Sequence, residues 1–109
     1  PRRGAAENPC MAQLRWTVEA LDWLEDIYRY IATDNPGAAA KVIDGIVAKA
    51  GLLMRFPDIG SRLRTVPEGD VRMVLYGHYR LVYLHRGDEE IVEVLGVFRG
   101  ALDIDRYLP

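Results

Sequence analysis

Two residues, Asp34 and Asn35, separate two stretches of helical periodicity, and this short junction constrains the fold more than any other feature. Upstream, Ala20/Leu21, Leu24, Ile27/Tyr28 and Ile31 recur at three- and four-residue spacing, while Asp22, Glu25, Asp26 and Arg29 fall largely off that stripe. The pattern predicts an amphipathic helix of about four turns. Thr17 supplies a cap, and Glu19 sits in the first turn where free backbone amides favour an anion. Downstream, Asn35 is a good cap and Pro36 loses nothing in a first turn, because its missing amide would have been unpaired there. The second helix then carries Ala39, Val42/Ile43, Ile46/Val47, Ala50 and Leu53. So short a connection returns the two helices antiparallel, as a hairpin. Gly45 and Gly51 each cost up to about 1 kcal/mol of helix propensity; their small size is expected to permit close packing on the first helix.

The remainder of the chain has a different period. Leu14 and Trp16 alternate with Gln13 and Arg15, which suits a brief first strand. Phe56-Pro57-Asp58-Ile59-Gly60 ends the second helix, and the stretch from Ser61 to Gly69 is polar and reads as a turn-rich connection. Extended runs follow at Val71–Tyr76, Tyr79–His85 and Ile91–Phe98, joined by tight turns at Gly77-His78 and Gly87-Asp88. The last two are apolar on both faces, as where one face meets the helices and the other is covered or used. The expected fold is α+β in the order β-α-α-β-β-β. A short N-terminal strand and a helical hairpin share one core with a small antiparallel sheet. Asp103 to Leu108 has room only for a last helical turn. Residues 1–10, PRRGAAENPC, show no apolar period and read as an unstructured lead, with Met11 opening a single domain over 11–109.

Composition excludes several function classes. One cysteine, Cys10, makes no disulfide within the chain, and with His78 and His85 it makes no convincing zinc cluster. No GxGxxG or GxxxxGK[ST] loop occurs, no segment has the apolar length of a membrane span, and no cofactor or metal is implied. The histidines read as surface or structural groups, and Asp88-Glu89-Glu90 as a solvated charge run in a turn. The expected setting is cytoplasmic.

The net charge of −2 averages an uneven distribution: residues 17–50 hold six acids and three bases, 55–86 six arginines and three acids, and 87–109 six acids and two bases. The central arginines read two ways, as ordinary solvation paired with flanking acids or as a basic strip on one face, with Arg72 and Arg80 the sharper candidates.

ALDWLEDIYRYI at 20–31, NPGAA at 35–39, LMRFPDIG at 53–60, Val71-Arg72, YRLVY at 79–83 and VLGVFRGA at 94–101 together resemble the ParE/RelE toxin superfamily of bacterial type II toxin–antitoxin modules. The resemblance spans Gln13 to Leu108 and implies a helical hairpin on a small antiparallel sheet. It implies one of two activities: ribosome-dependent cleavage of messenger RNA in the RelE branch, or poisoning of DNA gyrase in the ParE branch. Both branches are neutralised by a small antitoxin.

On the RelE pattern, the arginine of the Tyr-Arg-Leu-Val-Tyr strand matches Arg80 and the terminal aromatic falls near Tyr107. The two lysines of the preceding strand correspond to Val71 and Met73, and a later basic position falls at Gly100, beside Arg99. Neither Val71 nor Met73 can neutralise a phosphate or move a proton, and an arginine stays protonated and is a poor general base. The ParE pattern fits better, through Asn35–Ala39, the Phe56-Pro57…Gly60 turn and Arg72. In its Val-x-His-Gly-Ala-Arg-Asp run, Arg99 replaces the histidine and Leu102 the arginine. The resemblance therefore implies a binding inhibitor of DNA gyrase rather than an enzyme, within a toxin–antitoxin hetero-oligomer containing a ParD-like antitoxin. No membrane contact or sequence-specific nucleic-acid binding by the toxin alone is implied. If the chain were RelE-like, Arg80, Arg99 and Tyr107 would be its catalytic candidates. Candidates for target binding are Arg62, Arg64, Arg72, Arg80 and Arg99. Those for antitoxin binding are Trp16, Trp23, Tyr30, Arg72 and Arg80, with an acidic antitoxin surface opposite Arg62, Arg64, Arg72 and Arg80. Trp16 and Trp23 have a second reading as caps on the small core.

Overall fold

Thr17 and Asn35 act as the caps assigned to them in the computed structural model, which describes residues 11–100. The elements are β1 (Gln13–Trp16), α1 (Val18–Ala32), α2 (Pro36–Leu52), β2 (Ser61–Val66), β3 (Gly69–Tyr76), β4 (Tyr79–Arg86) and β5 (Ile91–Arg99). The expectations placed on residues 1–10 and on Leu102, Asp103–Leu108 and Tyr107 lie outside the described residues.

The Thr17 hydroxyl oxygen accepts from the Ala20 amide at 3.0 Å and donates to the Val94 carbonyl at 3.0 Å, so one side chain both starts α1 and ties it to β5. Asn35 Oδ1 accepts from the Ala38 amide at 3.0 Å, and Pro36 opens α2. These caps each contribute about 1 kcal/mol.

The sheet order is β1-β5-β4-β3-β2, antiparallel except for the parallel pair β1–β5. It has one strand more than expected. Ser61–Val66, read as a connection, pairs with β3 through the Pro67-Glu68 turn and forms an edge. It is polar because only one of its flanks is paired and most of its side chains face water. The helices cover one face of the sheet. Ala20 and Ile27 from α1 and Ile46 and Ala50 from α2 bury against Val74, Leu81, Tyr83, Val92, Val94 and Val97. A second apolar cluster, Val71, Val82, Leu84 and Phe98, occupies the opposite face.

The small-residue expectation for α2 is corrected. A Cβ at Gly45 would overlap the Tyr76 hydroxyl, so this glycine admits a β3 side chain rather than helix α1. A Cβ at Gly51 would meet nothing within 4 Å, so its smallness serves no packing.

Candidate functional site: two arginine faces and an aromatic cleft

The ladder registers divide the arginines. Residues opposite one another in an antiparallel pair share a face. Arg72 pairs with Tyr83 and so projects on the helix-side face, whereas Arg80 pairs with Leu75 and projects on the other. In β2, Arg62 stands opposite Arg72 and Arg64 opposite Val71, because the register shifts between them. The bulge at Leu63 thus sends two arginines spaced by two residues to opposite faces. The reading of Arg62, Arg64, Arg72 and Arg80 as one basic strip gives way to two sets. Arg62 and Arg72 lie on the helix side, and Arg64 and Arg80 on the side away from the helices.

Arg72 is held by its neighbours. Its Nη1 donates to the carbonyls of Asp58 at 3.1 Å and Gly60 at 2.7 Å, and its Nη2 lies 3.4 Å from Asp70 Oδ2. Its Nε is buried without a hydrogen-bond partner, 3.7 Å from Asp58 Oδ1. Beside it, Tyr83 is fully buried. Its hydroxyl donates to the Pro57 carbonyl at 2.7 Å and accepts from the Gly60 amide at 3.0 Å. Burial pushes the Tyr83 pKa up, against the lowering effects of the Gly60 hydrogen bond and of Arg72. His85 Nδ1 lies 2.8 Å from Asp58 Oδ1 and completes the set. Together these groups clamp the Phe56–Gly60 turn onto β3 and β4. Arg62 joins the rim of the clamp, 3.9 Å from Asp70.

On the face away from the helices, Arg80 stands over Met73, with Nη1 3.8 Å from the sulfur. Around it are the buried Val71, Val82, Leu84 and Phe98 and the half-exposed Leu75. Arg86 on the same face is paired with Glu93 at 3.4 Å.

A cleft of about 250 Å³ opens between α1 and the strand ends, walled by Trp23, Asp26, Ile27 and Tyr30 on one side and Tyr79, Val97 and Arg99 on the other. The Arg99 guanidinium sits 4.7 Å above the Tyr30 ring, a cation–π contact. Tyr30 pushes the Arg99 pKa up, by hydrogen bonding first and by charge second. Trp23 meets Phe98 edge-on at 4.9 Å and packs against both apolar clusters. Trp16, opposite Val94, packs on the main core.

Trp23, Tyr30 and Arg99, which belong to different candidate sets in the sequence, are therefore brought together. Arg72 is kept apart from Arg80, and Trp16 from the cleft. Ile27, Tyr79 and Val97 were missed as cleft residues. The spacing of Trp23, Ile27 and Tyr30 would have disclosed the first, whereas Tyr79 and Val97 depend on strand register. Among the described residues no group of three metal-ligating side chains converges, and no helix is long and apolar enough to cross a membrane.

Comparison with known proteins agrees with this architecture. A curated Sinorhizobium fredii protein, the candidate toxin Y4kP, is 36% identical over 58 residues, which is 51% of this chain and 60% of that protein. The chain thus spans less than two thirds of that relative. The chromosomal ParDE system of Pseudomonas aeruginosa contains a chain of similar structure, with TM-score 0.67, 26% identity, and coverage of 83% of this chain and 97% of that one. The RelBE2 toxin–antitoxin complex of Mycobacterium tuberculosis contains another, with TM-score 0.60, 25% identity, and coverage of 82% and 98%. The family described as ParE toxin of type II toxin–antitoxin system, parDE, matches over residues 14–104. The chain belongs to the ParE toxin family of type II toxin–antitoxin systems.

Proposed function

We propose that this ParE-family toxin acts by binding DNA gyrase and blocking its cycle, and that a ParD-like antitoxin neutralises it. The observation that carries the choice of target is the sheet face away from the helices. At the positions where the RelE pattern has lysines, Val71 is fully buried in the apolar cluster and Met73 packs beside it. A face built this way presents Arg80 over hydrocarbon and a thioether, with Arg64 on β2 and Arg86 paired to Glu93 on the same side. Among the described residues no lysine stands beside Arg80, and the Glu93 carboxylate on this face is engaged by Arg86 at 3.4 Å rather than placed to take a proton from a ribose hydroxyl. The apolar cluster of this face is already buried, so a protein partner would meet the exposed Leu75 together with Arg80 and Arg64, and the two arginines would supply orientation. Arg99, at the mouth of the cleft, belongs to a different surface and is better placed to meet the antitoxin with Trp23 and Tyr30. On this reading the chain catalyses no bond cleavage itself, and its setting is the bacterial cytoplasm.

The test adds antitoxin-free protein to purified gyrase with relaxed DNA and, separately, to translating ribosomes. Loss of supercoiling, or trapped cleaved DNA, with intact messenger RNA supports the proposal. Cut message with gyrase unaffected overturns it in favour of a ribosome-dependent endonuclease using Arg80.

A further inference from the structure

The aromatic cleft has an acidic neighbour. Trp23, Ile27 and Tyr30 line the cleft from α1, and Glu19, Asp22 and Asp26 border a second hollow of about 250 Å³ that shares Trp23 and Asp26 with it. At helical spacing the two sets make adjacent parallel ridges along α1, one apolar and one anionic. Glu25, a neighbour on the same helix, is satisfied by Arg29 at 3.0 Å. By contrast, Glu19, Asp22 and Asp26 have no ion pair or hydrogen bond among the described residues. Tyr30 remains 65% exposed although Arg99 covers one side of its ring.

We infer that this double ridge docks a helical segment of the antitoxin that carries a large apolar side chain for the cleft and Lys or Arg side chains for the carboxylate row. The inference rests on the reading of the chain as an antitoxin-controlled toxin and names what that partner must present. Charge complementarity selects the occupant. An acidic segment laid along α1 would face three unpaired carboxylates, whereas a basic one neutralises them while its apolar side enters beside Trp23. The acidic antitoxin surface expected from the arginines is thereby limited to the two arginine faces.

The probe is a helix-biased peptide display library panned against the full chain. Enriched peptides are then measured by titration calorimetry on the parent, on Asp22→Asn/Asp26→Asn and on Tyr30→Ala, with circular dichroism verifying each fold. The expected winners place Leu, Phe or Trp three or four residues from Lys or Arg. Neutralising the two aspartates should weaken binding about three- to tenfold, and raised salt should weaken the parent similarly. Tyr30→Ala should weaken binding about tenfold or more. Acid-rich winners, affinities unmoved by Asp22→Asn/Asp26→Asn, or no peptide sensitive to Tyr30→Ala would each overturn the inference. So would a gain of more than tenfold on removing residues 101–109, which would make the chain's own end the occupant. No gyrase is present in the assay, so failure of the target reading leaves its result intact. An antitoxin that neutralises the toxin without touching α1 overturns this inference alone.

Discussion

Arg72 and Arg80 stand on opposite faces of one sheet, since Arg72 is in register with Tyr83 and Arg80 with Leu75. The two side chains have correspondingly different surroundings: one fastens a turn, and the other lies over Met73 on the face away from the helices.

Arg72→Ala is expected to cost about 2–4 kcal/mol of unfolding free energy, because it leaves two carbonyls and two carboxylates without their shared cation. Arg80→Ala should stay within about 0.5 kcal/mol. Urea denaturation measures both, and equal small losses would return Arg72 to the surface groups.

Arg80→Glu should abolish most gyrase inhibition while leaving the melting temperature within a degree or two, the scale expected of a surface change. Inhibition that survives the reversal would place the target contact elsewhere than on the Arg80 face.

The two helix glycines should respond with opposite signs. Gly51→Ala meets open space and should stabilise by roughly 0.4–1 kcal/mol through helix propensity and a less flexible unfolded chain. Gly45→Ala gains the same propensity, yet its methyl group would overlap the Tyr76 ring and hydroxyl. A net loss of about 1–3 kcal/mol is expected from that overpacking. Adding Tyr76→Leu should recover part of it, a coupling that a double-mutant cycle reads directly.

Tyr83→Phe should cost about 1–3 kcal/mol, since the Gly60 amide and the Pro57 carbonyl lose a buried partner. The same phenol gives the fold a ceiling in alkali. Its pKa in the fold lies above the ordinary tyrosine value of 10.0, so this contribution is fully present below pH 10. It is lost as the pH rises through the folded value, because the unfolded chain releases the proton first. The unfolding free energy measured across that range should decline more steeply for the parent than for Tyr83→Phe.

What was legible in the sequence was local. Thr17, Asn35-Pro36 and Gly77-His78 act within a turn of themselves, so residue type and spacing identified them. Ser61–Val66 escaped because an edge strand with its side chains in water needs little apolar alternation, and β3 supplies its pairing. The arginine faces escaped for another reason. Side-chain direction in a sheet follows register, and one unpaired residue at Leu63 inverts the parity of everything beyond it. The cleft was half visible: the α1 ridge was written in Trp23 and Tyr30, but Tyr79, Val97 and Arg99 joined it only through the pairing of β4 with β5.

The parallel pairing of β1 with β5 joins the opening of the described chain to its final strand, and Thr17 bonds to Val94 across 77 positions. During synthesis, Gln13–Trp16 and the cap of α1 therefore wait for the last strand before their backbone partners exist. Closure over so long a separation comes late in folding. A message interrupted anywhere before Ile91 yields a polypeptide that cannot complete its sheet. Assembly of the cleft, which needs Val97 and Arg99, is thus tied to the synthesis of β5.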